Sequence, residues 1–221
     1  MALSTIKRIL RAGHVTVLGS APLSQYELDC IASADRLICV NGSISSVNRI
    51  PDIWVLNSHH YDGPLWKDPN RWPDERRHLH DKMMQQSSGR SARHICFLLK
   101  DNSPDQTIAR LQANNVTWRA HTALNPGQKM NIAVRAGVRK FATALNTSAG
   151  LFGLCLALAC KSRSVTLCGF SYTNDYAYLT TVPPDTRKHI TQDQEAISDL
   201  TARCGHKFSI LTADTANVAT V

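Results

Sequence analysis

The stretch that decides the fold is VTVLGSAP, from Val15 to Pro22. Four apolar or β-branched residues run together and then stop at Gly-Ser-Ala-Pro, which is typical of a buried strand followed by a tight turn. From Leu23 to Ala34 the apolar residues recur at helical spacing. A buried strand, a turn and a helix form the repeating unit of an α/β protein.

Five further segments show the same strand pattern. They are residues 36–40, 52–56, 94–99, 164–168 and 208–211. Apolar strands that are continuous, and not alternating with polar residues, indicate a parallel sheet that helices cover on both faces. We therefore expect one Rossmann-like α/β domain over residues 1–221, with a mostly parallel sheet flanked by helices.

Two long segments fit neither a strand nor a core helix. Residues 58–93 are polar and rich in histidine and basic residues. Residues 170–188 hold three tyrosines and a Pro-Pro pair between a predicted strand and a predicted helix, where a lid over a ligand crevice is expected. The small, polar tail 212–221 is expected to be disordered.

Composition limits the class of protein and its partners. Of the 221 residues, 43% are hydrophobic and 19% charged, which excludes a disordered, coiled-coil or collagen-like chain. The net charge of +8 favours an anionic partner: a nucleotide, a phosphorylated substrate, nucleic acid or an acidic membrane surface. Seven cysteines without a Cys-x-x-Cys pair predict buried free thiols and a cytoplasmic location.

Small residues and amides follow the predicted strands. They are Gly19, Ser20 and Ala21 after the first strand, Asn41 after the second, Asn57 after the third, and Gly169 and Phe170 after the fifth. Ligands of open parallel sheets bind outside the carboxyl ends of the strands. We therefore expect these residues to line a crevice that suits an uncharged polar ligand part, such as a base and its ribose.

A helix start offers a candidate phosphate site. Asn146-Thr147-Ser148-Ala-Gly150 precedes an apolar helix that Thr147 or Ser148 would cap. The unpaired amides of a helix N-terminus attract anions, although an ordinary cap on a core helix has the same pattern.

A second helix start places one histidine of interest. Thr191-x-x-Gln194 fits a capping box and Gly205 fits a helix end, so residues 191–204 are predicted to be helical. His189 lies just before this helix. It is either a general base with a pKa near neutral pH or an ordinary surface histidine.

Several known site motifs are absent from the sequence. It has no Walker A loop, no Gly-x-Ser-x-Gly, no Gly-x-Gly-x-x-Gly and no Asp-x-Asp. The pairs His59-His60 and His78-x-His80 lie in polar sequence and are weak metal candidates. No metal and no cofactor is expected.

In their order along the chain, these motifs resemble the bacterial sialyltransferases of glycosyltransferase family 42. The counterparts are Val17-Leu-Gly-Ser-Ala-Pro22, Cys39-Val-Asn41, Val55-Leu-Asn57, Thr147-Ser-Ala-Gly150, Leu167-Cys-Gly-Phe-Ser-Tyr172 and Lys188-His189. The turn after the first strand lacks a second glycine, Ala149 is inserted at the helix start, and the lid entry lacks an aspartate. These departures leave the donor sugar open between sialic acid, Kdo and a relative.

The resemblance implies a GT-A-like, metal-independent, inverting glycosyltransferase with a cytidine monophosphate (CMP) sugar as donor. It implies roles for individual residues: Ser20, Asn41 and Asn57 on the nucleotide, Thr147 and Ser148 on its phosphate or the sugar carboxylate, Tyr172 and Tyr176 as donors to the leaving phosphate, and His189 as the base. The acceptor is then a glycan or glycolipid hydroxyl in surface polysaccharide or lipopolysaccharide synthesis, with peripheral contact to an anionic inner membrane.

Two other functions stay open at this point. One is a pterin or nucleoside diphosphokinase-like transferase on a related Rossmann core, which would need ATP and magnesium. The other is nucleic-acid binding by the basic residues between Arg71 and Arg93; acidic residues interrupt that run, so no nucleic acid is expected as a partner. The oligomeric state is open.

Overall fold

The computed structural model describes residues 2–58, 83–99, 104–170 and 190–211. Its strands are β1 His14–Leu18, β2 Arg36–Val40, β3 Ile53–Asn57, β4 Ser91–Leu98, β5 Thr117–Leu124, β6 Ser164–Cys168 and β7 Phe208–Ile210. They form one seven-stranded sheet in the order β5-β4-β3-β2-β1-β6-β7, and every pair of neighbours is parallel. The expected Rossmann-like α/β class is confirmed.

Helices follow most of the strands. They are α1 Ala2–Leu10, α2 Gln25–Ser33, α3 Asp105–Ala113, α4 Pro126–Ala136, α5 Phe141–Asn146, α6 Ala149–Ala159 and α7 Ile190–Cys204, with 3₁₀ turns at Asn41–Ser46 and Gly205–Lys207. A capping box at Ser24 begins α2 and another at Asn125 begins α4, because each side chain accepts a hydrogen bond from the backbone three residues on. Across the described residues, no helix is long and apolar enough to cross a membrane.

The apolar core lies in two layers, one on each face of the sheet. One layer joins the strands to α1, α4, α6 and α7, and its members include Ile6, Val17, Val55, Ile132, Phe152 and Leu200. The other joins them to α2 and α3, with members such as Leu18, Ile31, Trp54, Phe97 and Leu111. Burial on both faces explains why the central strands are apolar without alternation.

The order of the strands creates a switch point at β1. From β1 the chain builds outward through β2, β3, β4 and β5, and it then returns to the other side of β1 for β6 and β7. Connections on the two sides of β1 therefore diverge, which leaves a crevice outside the carboxyl ends of β1 and β6. This is where a ligand site is expected in such a sheet.

The structure corrects the sequence-based outline in two places. Strand β5 has no counterpart among the predicted strands because it lies at the sheet edge, where Thr117, Arg119 and His121 are exposed and break the apolar run. The segment 58–93 is not wholly outside strands and helices: residues 83–87 are helical with Met83 and Met84 buried, and β4 begins at Ser91.

The cysteines agree with the interpretation as small apolar residues. Among the seven, Cys39, Cys96, Cys155, Cys160 and Cys168 are buried, and all seven are free thiols. Burial raises the pKa of Cys39, Cys96, Cys155 and Cys168 to about 12, so these thiols stay protonated and unreactive at neutral pH.

Candidate active site

The floor of the crevice is formed by two strand ends in close backbone contact. A Cβ atom added to Gly19 would clash with the carbonyl oxygen of Gly169, and Gly169 itself has a φ of +65°. The amide of Ala21 donates to that same carbonyl at 2.9 Å. A side chain at position 19 would separate β1 from the β6 exit, so glycine is required there.

A buried carboxylate holds this floor in place from below. Glu27, on α2, is only 2% exposed, and its Oε1 accepts a hydrogen bond from the Gly169 amide at 2.8 Å. Its Oε2 accepts from the Ser24 amide at 2.8 Å and from the Ser24 hydroxyl at 2.9 Å. Sequence reasoning missed Glu27, although Ser24-x-x-Glu27 matches a capping box. Its partner Gly169 is 142 residues away in the sequence, so no local pattern indicates this hydrogen bond.

The wall of the crevice is the ring of Phe170. A Cβ atom added to Gly150 would lie 2.9 Å from the Cε1 atom of that ring, and one added to Gly19 would lie 3.2 Å from its Cδ2 atom. The β6 exit, the β1 turn and the start of α6 therefore meet at this one side chain. Ser20 lies on the same β1 turn and is partly exposed.

The start of α6 is capped as the sequence predicted. Ser148 is the N-cap, and its hydroxyl accepts a hydrogen bond from the Leu151 amide at 3.1 Å. Thr147 is buried, with its hydroxyl 3.4 Å from the Ala144 carbonyl oxygen, to which it donates. Asn146 ends α5 and is exposed, and its side-chain amide donates to the Ala142 carbonyl oxygen at 2.9 Å.

Asn41 and Asn57 also meet, at the carboxyl ends of β2 and β3. The Oδ1 atom of Asn41 accepts a hydrogen bond from the Asn57 amide at 3.0 Å, which fixes the orientation of the Asn41 amide. The backbone of Asn41 has a φ of +47°, and its carbonyl oxygen accepts from the Trp54 indole at 2.8 Å. Within the part of the chain that the structure describes, the NH₂ group of Asn41 donates to no acceptor and is available to donate to a ligand.

Ser43 links the Asn41 pair to the rest of the crevice. Its hydroxyl donates to the Leu18 carbonyl oxygen at 2.9 Å and accepts from the Val40 amide at 2.8 Å. The ends of β1 and β2 are thereby held side by side. Of the ten predicted substrate-binding residues, eight lie in turns or at helix starts, while Asn57 ends β3 and Asn146 ends α5.

Two charged residues beside the α6 start escaped sequence reasoning. The Nζ atom of Lys129, on α4, donates to the Thr147 carbonyl oxygen at 2.6 Å and to the Leu145 carbonyl oxygen at 3.3 Å. Asp193, in the first turn of α7, accepts from the Ser148 amide at 2.9 Å. Neither residue lies in a motif, and only the packing of α4 and α7 against α5 and α6 brings them to this loop.

Burial changes the acidity of Lys129. It lowers the pKa of the ammonium group to about 8, while the nearby Asp193 carboxylate acts in the opposite direction. At neutral pH most of the groups therefore carry a proton and a positive charge, and a rise in pH through this pKa removes both.

The three predicted catalytic residues lie outside the described residues. Tyr172, Tyr176 and His189 all fall between Phe170 and Ile190, as does most of the predicted lid 170–188, and the tail 212–221 is likewise outside. The histidine pairs at 59–60 and 78–80 are outside as well. Over the ranges that are described, no three His, Cys, Asp or Glu side chains are grouped so that they could hold a metal ion.

Solved structures share this fold. A variant of the sialyltransferase CST-II in complex with CMP is 12% identical with a TM-score of 0.53, over 93% of this chain and 84% of that chain. CstII from Campylobacter jejuni, in complex with the substrate analogue cytidine-5'-monophosphate, is 14% identical with a TM-score of 0.51, over 94% and 84%. The monofunctional alpha-2,3-sialyltransferase Cst-I from the same organism is 13% identical with a TM-score of 0.50, over 93% and 78%.

No family model matches the chain, and no curated protein matches it either. The resemblance to the sialyltransferases that the sequence motifs indicated is therefore confirmed at the level of the fold, which extends over nearly the whole chain.

Proposed function

We propose that this protein is a glycosyltransferase that moves a sialic acid-like or Kdo-like sugar from a CMP-sugar donor to a glycan hydroxyl. The observation that carries the proposal is the convergence of Gly19, Gly169, Phe170 and the α6 start on the crevice at the switch point. Solved structures with the same fold contain CMP, which supports a cytidine nucleotide as the ligand of this crevice.

The proposed donor site divides into a nucleotide part and an anion part. Ser20, Asn41 and Asn57 bind the nucleotide; the donor NH₂ of Asn41 suits a carbonyl or hydroxyl oxygen of the ligand. Thr147 and Ser148 hold the phosphate or the sugar carboxylate at the start of α6. The Ser148 and Leu151 amides are already bonded there, so the amides of Ala149 and Gly150 and the positive end of the helix dipole are what favours negative charge.

The proposed transfer is a direct displacement at the anomeric carbon. The acceptor oxygen forms a bond to that carbon while His189 takes the hydroxyl proton, and the bond from the anomeric carbon to the CMP phosphate oxygen breaks. CMP departs with the electron pair, and Tyr172 and Tyr176 donate hydrogen bonds to its phosphate. One displacement inverts the anomeric centre, and no metal is required.

The location of α7 supports His189 as the base. His189 is bonded to Ile190, the first residue of α7, and Asp193 in the same helical turn contacts Ser148 at the proposed phosphate site. The biological setting we propose is lipopolysaccharide, capsule or another surface glycan, made in the cytoplasm. The net charge of +8 supports peripheral contact with an anionic inner membrane.

Ligand binding by calorimetry tests this function directly. The full chain is titrated with CMP, CDP, GTP and ATP, each with EDTA and with added magnesium. We expect binding of CMP that is selective and unaffected by EDTA. Binding of ATP with magnesium alone would instead favour a diphosphokinase-like enzyme, and binding of CMP only with a divalent ion would contradict the metal-independent mechanism.

A further inference from the structure

The loop between α5 and α6 is held from two sides by groups of opposite charge. On one side the Lys129 ammonium donates to the carbonyl oxygens of Leu145 and Thr147, and on the other the Asp193 carboxylate accepts from the Ser148 amide. The peptide group that joins Thr147 to the N-cap Ser148 is therefore held at its carbonyl oxygen by a side chain from α4 and at its N–H by a side chain from α7.

These contacts depend on charge as well as on shape. The short bond from the Lys129 ammonium group to the Thr147 carbonyl oxygen and the longer one to Leu145 both need N–H donors, and a neutral amine donates more weakly than an ammonium group. The ammonium charge also offsets the negative charge that the Asp193 carboxylate places at the start of α6, where an anion requires a positive potential. Loss of the proton would therefore loosen the loop and reduce its attraction for an anion at the same time.

We propose that Lys129 and Asp193 are positioning residues for the anionic part of the donor, and that donor affinity depends on the proton held by Lys129. This inference rests on the proposed function, since it takes the α6 start as the site of the phosphate or carboxylate. Lys129 itself bonds to the protein backbone and need not touch the ligand.

The surroundings of Lys129 set the pH range of this effect. It faces backbone carbonyl oxygens of α5, the Cys155 thiol on α6 and the Asp193 carboxylate on α7; burial lowers its pKa to about 8, and the pKa of Cys155 is about 12. If only the protein with protonated Lys129 binds the donor, the affinity for the donor falls as the pH rises above the pKa of Lys129. The second phosphate pKa of a nucleotide monophosphate is about 6, so the ligand keeps a constant charge across this range.

The test measures the dissociation constant of CMP by calorimetry across this pH range. For the wild-type protein we expect affinity to fall about tenfold between about pH 7 and about pH 9, as the protonated fraction falls. The Lys129→Arg variant keeps its charge at every pH used and should show a flat profile. The Lys129→Met variant should bind weakly and with a flat profile.

Two further variants separate positioning from mere structural support. Asp193→Asn keeps an acceptor for the Ser148 amide but removes the charge that raises the pKa of Lys129, so the loss of affinity should begin at lower pH. Lys140→Met removes an exposed lysine that pairs with Glu195 and should retain the wild-type pH profile. Thermal melting confirms that each variant is folded before its binding is interpreted.

The outcomes distinguish this inference from the proposed function. If the wild-type protein binds CMP with an affinity that does not change over this range, or if Lys129→Arg follows the wild-type slope, the positioning role is wrong and the proposed function stands. If the wild-type protein does not bind CMP at any pH, both are wrong.

Discussion

The α6 start and the β4–β5 edge each contain a basic side chain that is shielded from water, half-buried Lys129 at the first and buried His94 at the second. Their surroundings favour the protonated form of Lys129 and the neutral form of His94 at neutral pH. At the α6 start, Lys129 has carbonyl oxygens and the Asp193 carboxylate around its ammonium group. At the β4–β5 edge, His94 is 2% exposed; its Nε2 atom is 2.9 Å from the Thr122 hydroxyl, and its Nδ1 atom has no hydrogen-bond partner among the described residues.

Burial lowers the pKa of both side chains, but only one of them is neutral at physiological pH. The pKa of His94 falls below its usual 6.5 through burial and, to a smaller extent, through the neighbouring His121. Lys129 starts from a much higher value and stays protonated. The comparison indicates that a partly buried side chain keeps its positive charge beside the crevice, whereas the buried imidazole at the distal edge is neutral and the charged side chain of Arg119 there is exposed. A positive charge at the first region is consistent with the proposed anion site.

The largest expected difference between the two regions concerns catalysis. His189→Ala should lower turnover about 10²–10⁴-fold and leave CMP affinity nearly unchanged, because the base acts on the acceptor hydroxyl and not on the nucleotide. His94→Gln serves as the control from the distal edge and should turn over at close to the wild-type rate. Steady-state transfer from a CMP-sugar measures both; near-normal turnover in His189→Ala would contradict its role as base.

The next effect concerns the stability of the crevice floor. Gly19→Ala would drive a methyl group into the Gly169 carbonyl, and the neighbouring strands cannot separate cheaply, so we expect a loss of about 3 kcal/mol or more in the free energy of unfolding. Gly89→Ala, whose φ is +69° with nothing within 4 Å, should cost only the left-handed strain, about 1–2 kcal/mol.

Urea denaturation gives both free energies. Equal losses in Gly19→Ala and Gly89→Ala would mean that the contact between the β1 and β6 ends is less rigid than the distances indicate.

A smaller effect is expected for one hydrogen bond to the nucleotide. Asn41→Ala should weaken CMP binding by about 1–3 kcal/mol, since the ligand would lose a buried partner. The substitution also places alanine at a φ of +47°, which strains the backbone. Asn115→Ala is the control for this strain, because Asn115 has a φ of +57° and is exposed at the distal side. Calorimetry should find unchanged CMP affinity in Asn115→Ala; equal affinities in both variants would remove Asn41 from the site.

The smallest effect is the pH dependence of stability at the distal edge. The folded-state pKa of His94 lies below the unfolded value of 6.5, so its contribution is fully present above about pH 6.5 and is lost as pH falls from there through the folded pKa. Wild-type Tm should therefore fall more steeply on acidification than the Tm of His94→Gln, by a few degrees.

Exposed His206 provides the control for that measurement, because His206→Gln should retain the wild-type slope of Tm against pH. A wild-type slope in His94→Gln would show that another group governs the acid sensitivity.

Most of the strands of the sheet could be predicted from local patterns in the sequence. The strands β1, β2, β3 and β6 were predicted to within a residue because each is buried on both faces and reads as one apolar run. The cap of α6 was predicted because it depends on a contact three residues apart, which the sequence displays directly. The capping box that begins α2 is equally local, but it was not among the predictions. Strand β5 was missed because an edge strand has exposed residues and resembles a loop in composition.

The features of the site likewise fall into those that depend on local sequence and those that depend on contacts between residues distant in the sequence. The sequence alone determined which turns hold glycine, serine and asparagine at the ends of the strands, since such residues are needed wherever a parallel strand meets a turn or a helix start. Only the tertiary structure decided that Glu27 bonds to Gly169, that Phe170 covers Gly150, and that Lys129 and Asp193 hold the α6 start. These partners lie far apart along the chain. The physical reason is that a buried polar group forms its hydrogen bond with a residue that tertiary packing places nearby, and a local sequence pattern does not contain that information.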